Sequence, residues 1–290
     1  MENHPLVSVL IPVYNRVKLV EEAIRSALNQ TYPNIEIIVS DNCSTDGTWE
    51  RLQELAREDN RLIVVRTTHN VGPVPNWQHC LNFAKGEYIK FLFSDDWMRS
   101  DCLELMVSAM KINPGIKIVF SSVLEFNGKT TFPCVELAKG SQAPLVIRRT
   151  KSLLEIIQFK LPISPGAALF RRGGLSIISG FEDEYLGNLA KRGIGPDYLM
   201  IYQAIQTEGC IIIPDFVNTF RRHDGSLSEV HSSDLWFGYV RFIKYSIGLI
   251  KYPFLDAVFI RLVLTLRILL LWVAVVVRGV KSKIKNFLKL

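Results

Sequence analysis

The sequence predicts an α/β protein built on a mostly parallel, doubly wound sheet. Short apolar runs rich in β-branched residues alternate with segments in which apolar residues recur at helical spacing. The first run, residues 7–12, is apolar almost throughout, which is typical of a strand buried on both faces of a parallel sheet. The links between successive elements are short, as repeated strand–helix units require.

The predicted elements follow one another regularly up to about residue 100 and less clearly beyond it. Strands are predicted over residues 7–12, 35–40, 61–66, 88–93, 117–121, 167–170, 211–213 and 215–220. Helices are predicted over residues 18–30, 45–57, 75–84, 101–112 and 198–208. Thr45 or Asp46 is expected to cap the second helix. Residues 127–150 contain Gly, Pro and Lys with little periodicity and predict a loop or an irregular hairpin.

The charge of the chain is unevenly distributed. Its 290 residues carry a net charge of +6, and 48% of them are apolar, as expected of a folded protein. Residues 1–240 hold 24 basic and 27 acidic residues, a balance of −3, whereas residues 241–290 hold 10 basic residues and one acid. The body is therefore not expected to bind nucleic acid or another polyanion.

Cysteine usage and the first residues indicate a compartment. The five cysteines are an odd number with no CxxC spacing, which argues against a zinc site or a disulfide framework and favours a reducing environment. Residues 1–5 lack the basic region of a signal peptide. We expect the body to be cytosolic.

Polar residues follow the predicted strands, at the edge where doubly wound sheets bind ligands. Asp95 and Asp96 directly follow the fourth strand, and Asp41 ends the second. Two adjacent carboxylates repel each other unless a cation lies between them, and hard oxygen ligands suit Mg²⁺ or Mn²⁺. Alternatively, Asp96 caps the following helix and Asp95 is merely solvated. Acids at two neighbouring strand ends favour a site that holds a metal together with a diphosphate.

Four ordered blocks of sequence carry a family resemblance. They are Val9–Asn15 (VLIPVYN), Ser40–Thr48 (SDNCSTDGT), Ala84–Tyr88 (AKGEY) and Ser94–Asp96 (SDD). Together they resemble the family 2 glycosyltransferases, which are inverting enzymes with the GT-A fold. A looser match continues through residues 180–184 and 221–228, so that the resemblance covers about residues 6–230. Ser94 replaces the first acid of the family's DxD-like triplet, a change that the family accepts.

The resemblance implies roles in binding a nucleoside-diphosphate sugar. Tyr14 would lie against the base, and Asp41 would accept a hydrogen bond from the imide N–H of uracil or thymine. Asp95 would face the ribose or the sugar, and Asp96 would bind the metal. Tyr14 could instead pack a surface turn, and Asp41 could serve an Asx turn. The residues assigned to nucleotide-sugar binding are Pro12, Tyr14, Asn15, Asp41, Asn70 and Asp95.

Inverting transfer also needs a carboxylate that takes the proton of the acceptor hydroxyl. In this family the base lies in a Glu-Asp pair, and Asp197 falls at the corresponding Asp, with Pro196 in place of the Glu. Asp183, in the segment of residues 180–183, is the competitor. Asp197 could alternatively be a simple helix cap.

A basic cluster follows the last predicted strand. Arg221 and Arg222 could neutralise charge on the leaving diphosphate, and His223 could complete the metal shell. A histidine in a loop can equally be structural.

The C-terminal tail is apolar and basic. Residues 258–277 are interrupted by Arg261 and Arg267, and the part after Arg261 is 16 residues long, short of the roughly 20 that a span needs. A single crossing would also place the basic residues after 277 on the side opposite the body. We predict that residues 254–290 lie in the membrane interface. A spanning helix, or a soluble helix pair packed on the body or in a dimer, are the alternatives.

The predicted organisation is a nucleotide-sugar-binding half over residues 1–100, an acceptor-binding half over 101–230, and a helical membrane-associating tail over 231–290. The implied reaction moves one sugar from a UDP or dTDP donor to a lipid-linked or saccharide acceptor, at the cytoplasmic face of the membrane. The sequence lacks the Gln-x-x-Arg-Trp motif of processive synthases. A nucleotidyltransferase acting on sugar phosphates and an inactive nucleotide-sugar-binding protein are the alternatives.

Overall fold

The computed structural model describes residues 4–223, except 158–159, 176, 178–186, 189 and 191–194. The strands are β1 (Val7–Val13), β2 (Ile35–Asp41), β3 (Leu62–Arg66), β4 (Tyr88–Phe91), β5 (Trp97–Met98), β6 (Ile118–Phe126), β7 (Thr131–Val135), β8 (Leu145–Arg148), β9 (Ala168–Arg171) and β10 (Gly209–Arg221). The helices are α1 (Val20–Leu28), α2 (Thr48–Glu58), α3 (Pro73–Phe83), α4 (Cys102–Ile112), α5 (Arg149–Ile157) and α6 (Pro196–Ile205). Short 3-10 turns cover Pro165–Ala167 and Arg172–Gly174.

The strands form one mixed sheet in the order β3-β2-β1-β4-β9-β6-β10-β5, with β7 beside β6 and β8 beside β10. The first four strands in this order are parallel, as the sequence predicts. β9 runs antiparallel to both of its neighbours, β4 and β6, and β6 and β10 are parallel to each other. The α/β prediction is confirmed, and the antiparallel strands lie in the second half of the sheet.

Both faces of the sheet are covered, which explains the continuous apolar run of the first strand. All seven residues of β1 are buried. Val9 and Ile11 belong to a core cluster that contains side chains of α1, α2 and α4. The alternate residue Leu10 is buried outside that cluster, and α3 packs on β1 and β2.

Several predicted boundaries are wrong in instructive ways. β4 ends at Phe91 rather than at residue 93. The N-cap of α2 is Gly47, with φ 92°, rather than Thr45 or Asp46. Asp46 instead accepts hydrogen bonds from the backbone N–H groups of Thr48 and Val17, at 3.0 and 3.2 Å, and so ties the two loops together. Residues 127–150 contain β7 and β8, and the last two predicted strands are one, β10.

The parallel pairing brings the predicted site to one edge of the sheet. Val13 is in register with Asp41, and Asp41 with Arg66. β4 runs beside β1 in the same direction, so that Asp95 follows at the same edge. Within the described ranges no helix is long and apolar enough to cross a membrane. Residues 254–290 lie outside those ranges, and the predicted division at residues 100 and 230 stays a prediction.

Candidate active site

The turn after β1 is tied to the turn after β2. The backbone N–H of Asn15 donates to Oγ of Ser44 over 2.8 Å, and the N–H of Thr45 donates to Oδ1 of Asn15 over 2.9 Å. Asn15 has a φ of 51°, a left-handed conformation that asparagine tolerates better than most residues. Pro12 is buried, whereas Tyr14 is 42% exposed. Tyr14 thus presents an accessible aromatic surface at the edge.

Asp41 is fully buried and already paired. Its Oδ2 lies 2.9 Å from Nε of Arg66, and both carboxylate oxygens lie 3.2 Å from the backbone N of Ser44. Arg66 also donates to the carbonyl of Ser44 over 2.7 Å, and its guanidinium lies 5.2 Å from the ring centroid of Trp49. A nucleobase that hydrogen-bonds to Asp41 must therefore share the carboxylate with Arg66.

Asn70 belongs to a network that orders the loop between β3 and α3. Nδ2 of Asn42 donates to Oδ1 of Asn70 over 3.0 Å and to the carbonyl of Gly72 over 3.2 Å. Oδ1 of Asn42 accepts the N–H of Val71 over 2.9 Å. Asn70 itself is exposed, so that it lies at the surface of the predicted donor site.

The acid pair is held by the end of the last strand. Nε2 of His223 lies 2.9 Å from Oδ2 of Asp95, and the backbone N–H of Arg221 donates to Oδ1 of Asp96 over 2.9 Å. The N–H of Asp96 closes a turn on the carbonyl of Phe93 over 3.0 Å. The structure therefore brings together Asp95, Asp96, Arg221 and His223, as the sequence analysis predicts for one site.

The two acids lie in different environments. Asp96 is buried, and this burial, together with the charge of Asp95, raises the pKa of its carboxyl well above the ordinary value. The Arg221 backbone N–H and the charge of Lys90 act in the opposite direction. A cation close to Asp96 would favour its ionised form.

The donor set suits a hard divalent cation. Two carboxylates and one imidazole are ligands that Mn²⁺ accepts, and carboxylates suit Mg²⁺. In the part of the chain that the structure describes, no three His, Cys, Asp or Glu side chains are grouped as a complete metal site. Asp96 with Asp95 or His223 could hold part of a coordination shell, which leaves positions for oxygens of a bound diphosphate.

Arg221 makes its side-chain contacts within the protein. Its Nε donates to the carbonyl of Asp95 over 3.0 Å, and its terminal nitrogen pairs with Glu22. The guanidinium lies 4.8 Å from the ring centroid of Trp97 and 5.5 Å from that of Phe126. The backbone and the side chain of Arg221 therefore both fix the acid pair.

Arg222 has a more open environment. Its side chain is 60% exposed and lies 3.6 Å from a carboxylate oxygen of Glu125. A surface ion pair of this length contributes little to stability. The predicted diphosphate role of both arginines stays a prediction.

Asp197 occupies the second residue of α6, after Pro196. It is 9% exposed, and its Oδ1 accepts hydrogen bonds from the N–H groups of Gly195 and Tyr198, at 3.0 and 2.8 Å. One carboxylate oxygen thus bonds to the backbone at the helix start, although the N-cap is Gly195 and not Asp197 as the alternative expects. Asp183 lies outside the described residues, so that the choice between the two candidate bases stays open.

Two residues of this region were missed in the sequence analysis. Arg66 ends β3 in register with Asp41, a position that the predicted strand order could have indicated. Lys90 interrupts an apolar strand, and a lysine there is unusual enough to be a signal. Its side chain is fully buried and its Nζ donates to the carbonyl of Gly166.

Solved structures show which fold the chain has. The S. aureus protein TarS in complex with UDP-GlcNAc superposes with a TM-score of 0.65 over 87% of this chain and 69% of that chain, at 20% identity. The mannosyltransferase PcManGT from Pyrobaculum calidifontis, in complex with GDP-Man and Mn²⁺, gives a TM-score of 0.59 over 87% of this chain and 66% of that chain, also at 20% identity. The chain has the GT-A fold, as predicted.

Sequence comparison gives the family. The profile described as Glycosyl transferase family 2 matches residues 8–175, and the chain belongs to this family. A Campylobacter jejuni GalNAc(5)-diNAcBac-PP-undecaprenol β-1,3-glucosyltransferase is 35% identical over 145 residues, which are 47% of this chain and 46% of that protein. Escherichia coli WfaP, a UDP-Glc:α-D-GlcNAc-diphosphoundecaprenol β-1,3-glucosyltransferase, is 41% identical over 92 residues, or 32% of this chain and 36% of its own length. The chain thus aligns with less than half of each relative.

Proposed function

We propose that this protein transfers a single sugar from a nucleoside-diphosphate sugar, with UDP or dTDP as the nucleotide, to a hydroxyl of a lipid-linked or saccharide acceptor. The anomeric centre is inverted. Membership of glycosyltransferase family 2 supports the reaction class, and the names of the two relatives support a diphosphoundecaprenol-linked acceptor. The observation that carries the proposal is the Asp95–Asp96 pair, held by β10 at the same sheet edge as Tyr14 and Asp41.

The nucleoside binds at the ends of β1 and β2. The ring of Tyr14 stacks on the base, and Asp41 accepts the imide N–H of uracil or thymine while Arg66 pairs with the same carboxylate. Pro12 and Asn15 shape the turn below the base, and the exposed Asn70 lines the other side.

The diphosphate and the sugar lie over the acid pair. Asp96, with His223, would hold Mg²⁺ or Mn²⁺, and the bound ion would supply positive charge that stabilises the leaving diphosphate. Asp95 faces the ribose or the sugar. Arg221 fixes Asp95 and Asp96 through its backbone N–H and its Nε, and its guanidinium also pairs with Glu22. Arg222, whose side chain is 60% exposed, is therefore the better placed of the two arginines to approach the diphosphate.

Asp197 is the proposed general base. It takes the proton of the acceptor hydroxyl as that oxygen bonds to the anomeric carbon, and the bond from this carbon to the diphosphate oxygen breaks on the opposite face. The products are the glycoside and the nucleoside diphosphate. Asp183 is the competing base.

The proposal is tested by a thermal-shift screen of UDP, dTDP, GDP and their sugars, each with and without Mn²⁺. A ligand that binds the folded state raises the melting temperature by mass action. We expect the shift to be largest for a UDP or dTDP sugar and to need the metal. A protein that responds to no nucleotide, or equally to all of them without metal, would contradict the proposed donor site.

We also propose a location for the enzyme, which depends on its C-terminal tail. Residues 254–290 are apolar and basic, and residues 1–240 carry a charge balance of −3, so that we place the protein at the cytoplasmic face of the membrane as a peripheral or monotopic enzyme. Deletion of these residues should abolish sedimentation with anionic liposomes and keep nucleotide binding. Each basic residue near an anionic membrane surface contributes about 1 kcal/mol to membrane binding. Because this contribution is electrostatic, added salt should weaken binding. A full-length chain that stays in the supernatant at low salt would contradict the membrane assignment.

A further inference from the structure

The side chain of Lys90 is a fully buried cation in the middle of the sheet. It lies in β4, and it is 0% exposed. Its Nζ donates to the backbone carbonyl of Gly166. Lysine is almost never fully buried unless it is paired, and an apolar side chain of similar length would fill the same space without the cost of desolvation. Burial lowers the pKa of Lys90 to about 8, which reflects that cost. A residue kept at such a cost is a candidate for a role other than stability.

The carbonyl that Lys90 holds belongs to the turn Pro165–Ala167, which connects the parts of the proposed site. The turn contacts β4, β6, β9 and α6, the helix that carries Asp197. A Cβ placed on Gly166 would lie 3.3 Å from ring atoms of both Phe93 and Phe220. Phe93 directly precedes the segment Ser94–Asp96.

Phe220, the second of these residues, connects Gly166 to the chain segment that contacts the acids. Phe220 directly precedes Arg221, which fixes both acids. Gly166 is therefore packed between the two chain segments that build the acid pair, and its turn also contacts α6, the helix that carries Asp197. Movement of this turn would change the distance between the acids and the proposed base.

We propose that Lys90 is a positioning residue for sugar transfer, which, through the carbonyl of Gly166, fixes the Pro165–Ala167 turn and so the placement of Asp197 relative to Asp95 and Asp96. This inference rests on the proposed function. Lys90 does not touch the substrate. It acts on the step in which the acceptor oxygen attacks, because that step depends on the distance between the base and the donor sugar.

The test compares steady-state kinetics of the full chain and of Lys90→Met, which keeps the length of the side chain and removes the ammonium. A misplacement of about 1 Å can cost about 10²-fold, so that we expect kcat to fall by about 10–10²-fold. The KM for the donor should change by less than about twofold, because the nucleoside contacts are not altered. Lys111→Met makes the same chemical change at an exposed residue of α4 and should keep the wild-type kcat.

A second variant covers the case in which Lys90→Met does not fold. Gly166→Ala keeps Lys90 and displaces the turn from its other side, since the new Cβ meets three atoms at 3.3 Å. The φ of Gly166 is not in the left-handed region, so that alanine is allowed there. We expect the same fall in kcat with an unchanged donor KM.

The outcomes separate this inference from the proposed function. A fall in kcat with an unchanged donor KM in either folded variant supports the positioning role. Wild-type kcat in Lys90→Met, or in Gly166→Ala if the first does not fold, overturns it and leaves the proposed function intact. A parallel change of kcat and donor KM indicates general damage to the fold and also overturns it. A wild-type chain that transfers no sugar overturns both.

Discussion

The backbone N–H of Arg221 donates a hydrogen bond of 2.9 Å to Oδ1 of Asp96, although the two residues are 125 positions apart in the chain. Together with the contact between His223 and Asp95, this bond closes the proposed site on the side of β10. Because a backbone N–H makes the contact, the geometry depends on the path of the strand more than on the arginine side chain. The acids are thus positioned before any ligand binds.

The assignment of Asp96 to the metal predicts the behaviour of Asp96→Asn. The amide oxygen can still accept the Arg221 N–H, so that the fold should be kept, but a ligand and a negative charge are lost together. Loss of a residue that hydrogen-bonds to a metal ligand lowers the affinity for the metal about 10–100-fold, and loss of a ligand itself should lower it at least as much. Calorimetry of UDP binding with and without Mn²⁺ measures the effect.

The control for this variant is Asp215→Asn. The Asp215 side chain is 42% exposed and lies 3.5 Å from Arg99, away from the acid pair. It should bind UDP as the wild type does. Unchanged Mn²⁺ dependence in Asp96→Asn would show that the metal assignment is wrong.

The buried pair of Asp41 and Arg66 predicts a loss of stability in Arg66→Ala. The fully buried carboxylate would lose its charged partner and keep only the Ser44 N–H, and a buried polar group that loses a partner costs about 1–3 kcal/mol. Arg61→Ala is the matched control, because Arg61 is exposed to a similar degree but pairs with the more accessible Asp59. That change should cost no more than about 1 kcal/mol. Urea denaturation gives both values, and equal losses would contradict the account.

The buried ammonium predicts how stability depends on pH. The pKa of Lys90 is lowered from 10.5 to about 8 in the folded chain, so that between these values the unfolded chain binds more protons. The free energy of unfolding of the wild type should therefore rise, relative to that of Lys90→Met, as the pH rises from about 8 to 10.5. The other titrating groups are the same in both proteins, so that their contributions to the difference in unfolding free energy largely cancel. A constant difference across this range would show that Lys90 is not buried as a cation.

The sequence predicts the parts of the site that depend on local pattern. Alternating strands and helices place Tyr14, Asp41 and Asp95 at one sheet edge, because parallel neighbours end together. The contacts of Arg66, Lys90 and Arg221 could not be predicted in the same way. Each joins segments that are distant in sequence, and the antiparallel insertion of β9 between β4 and β6 has no signature in the spacing of apolar residues.

The assignment of the base predicts a large effect on turnover alone. Asp197→Asn keeps an acceptor for the N–H groups of Gly195 and Tyr198, so that α6 should still form. Removal of a general base lowers the rate by about 10²–10⁴-fold. Donor affinity should stay unchanged. Wild-type turnover in Asp197→Asn, with a collapse in Asp183→Asn, would move the base to Asp183.

The central claim, inverting transfer of a sugar, is tested most directly by the anomeric configuration of the product. The full-length protein is incubated with an α-linked UDP or dTDP sugar, Mn²⁺ and a diphosphate-linked lipid acceptor, and the new linkage is determined by NMR. The account predicts one added sugar with a β linkage. An α linkage, or transfer of a nucleotide in place of a sugar, would contradict it.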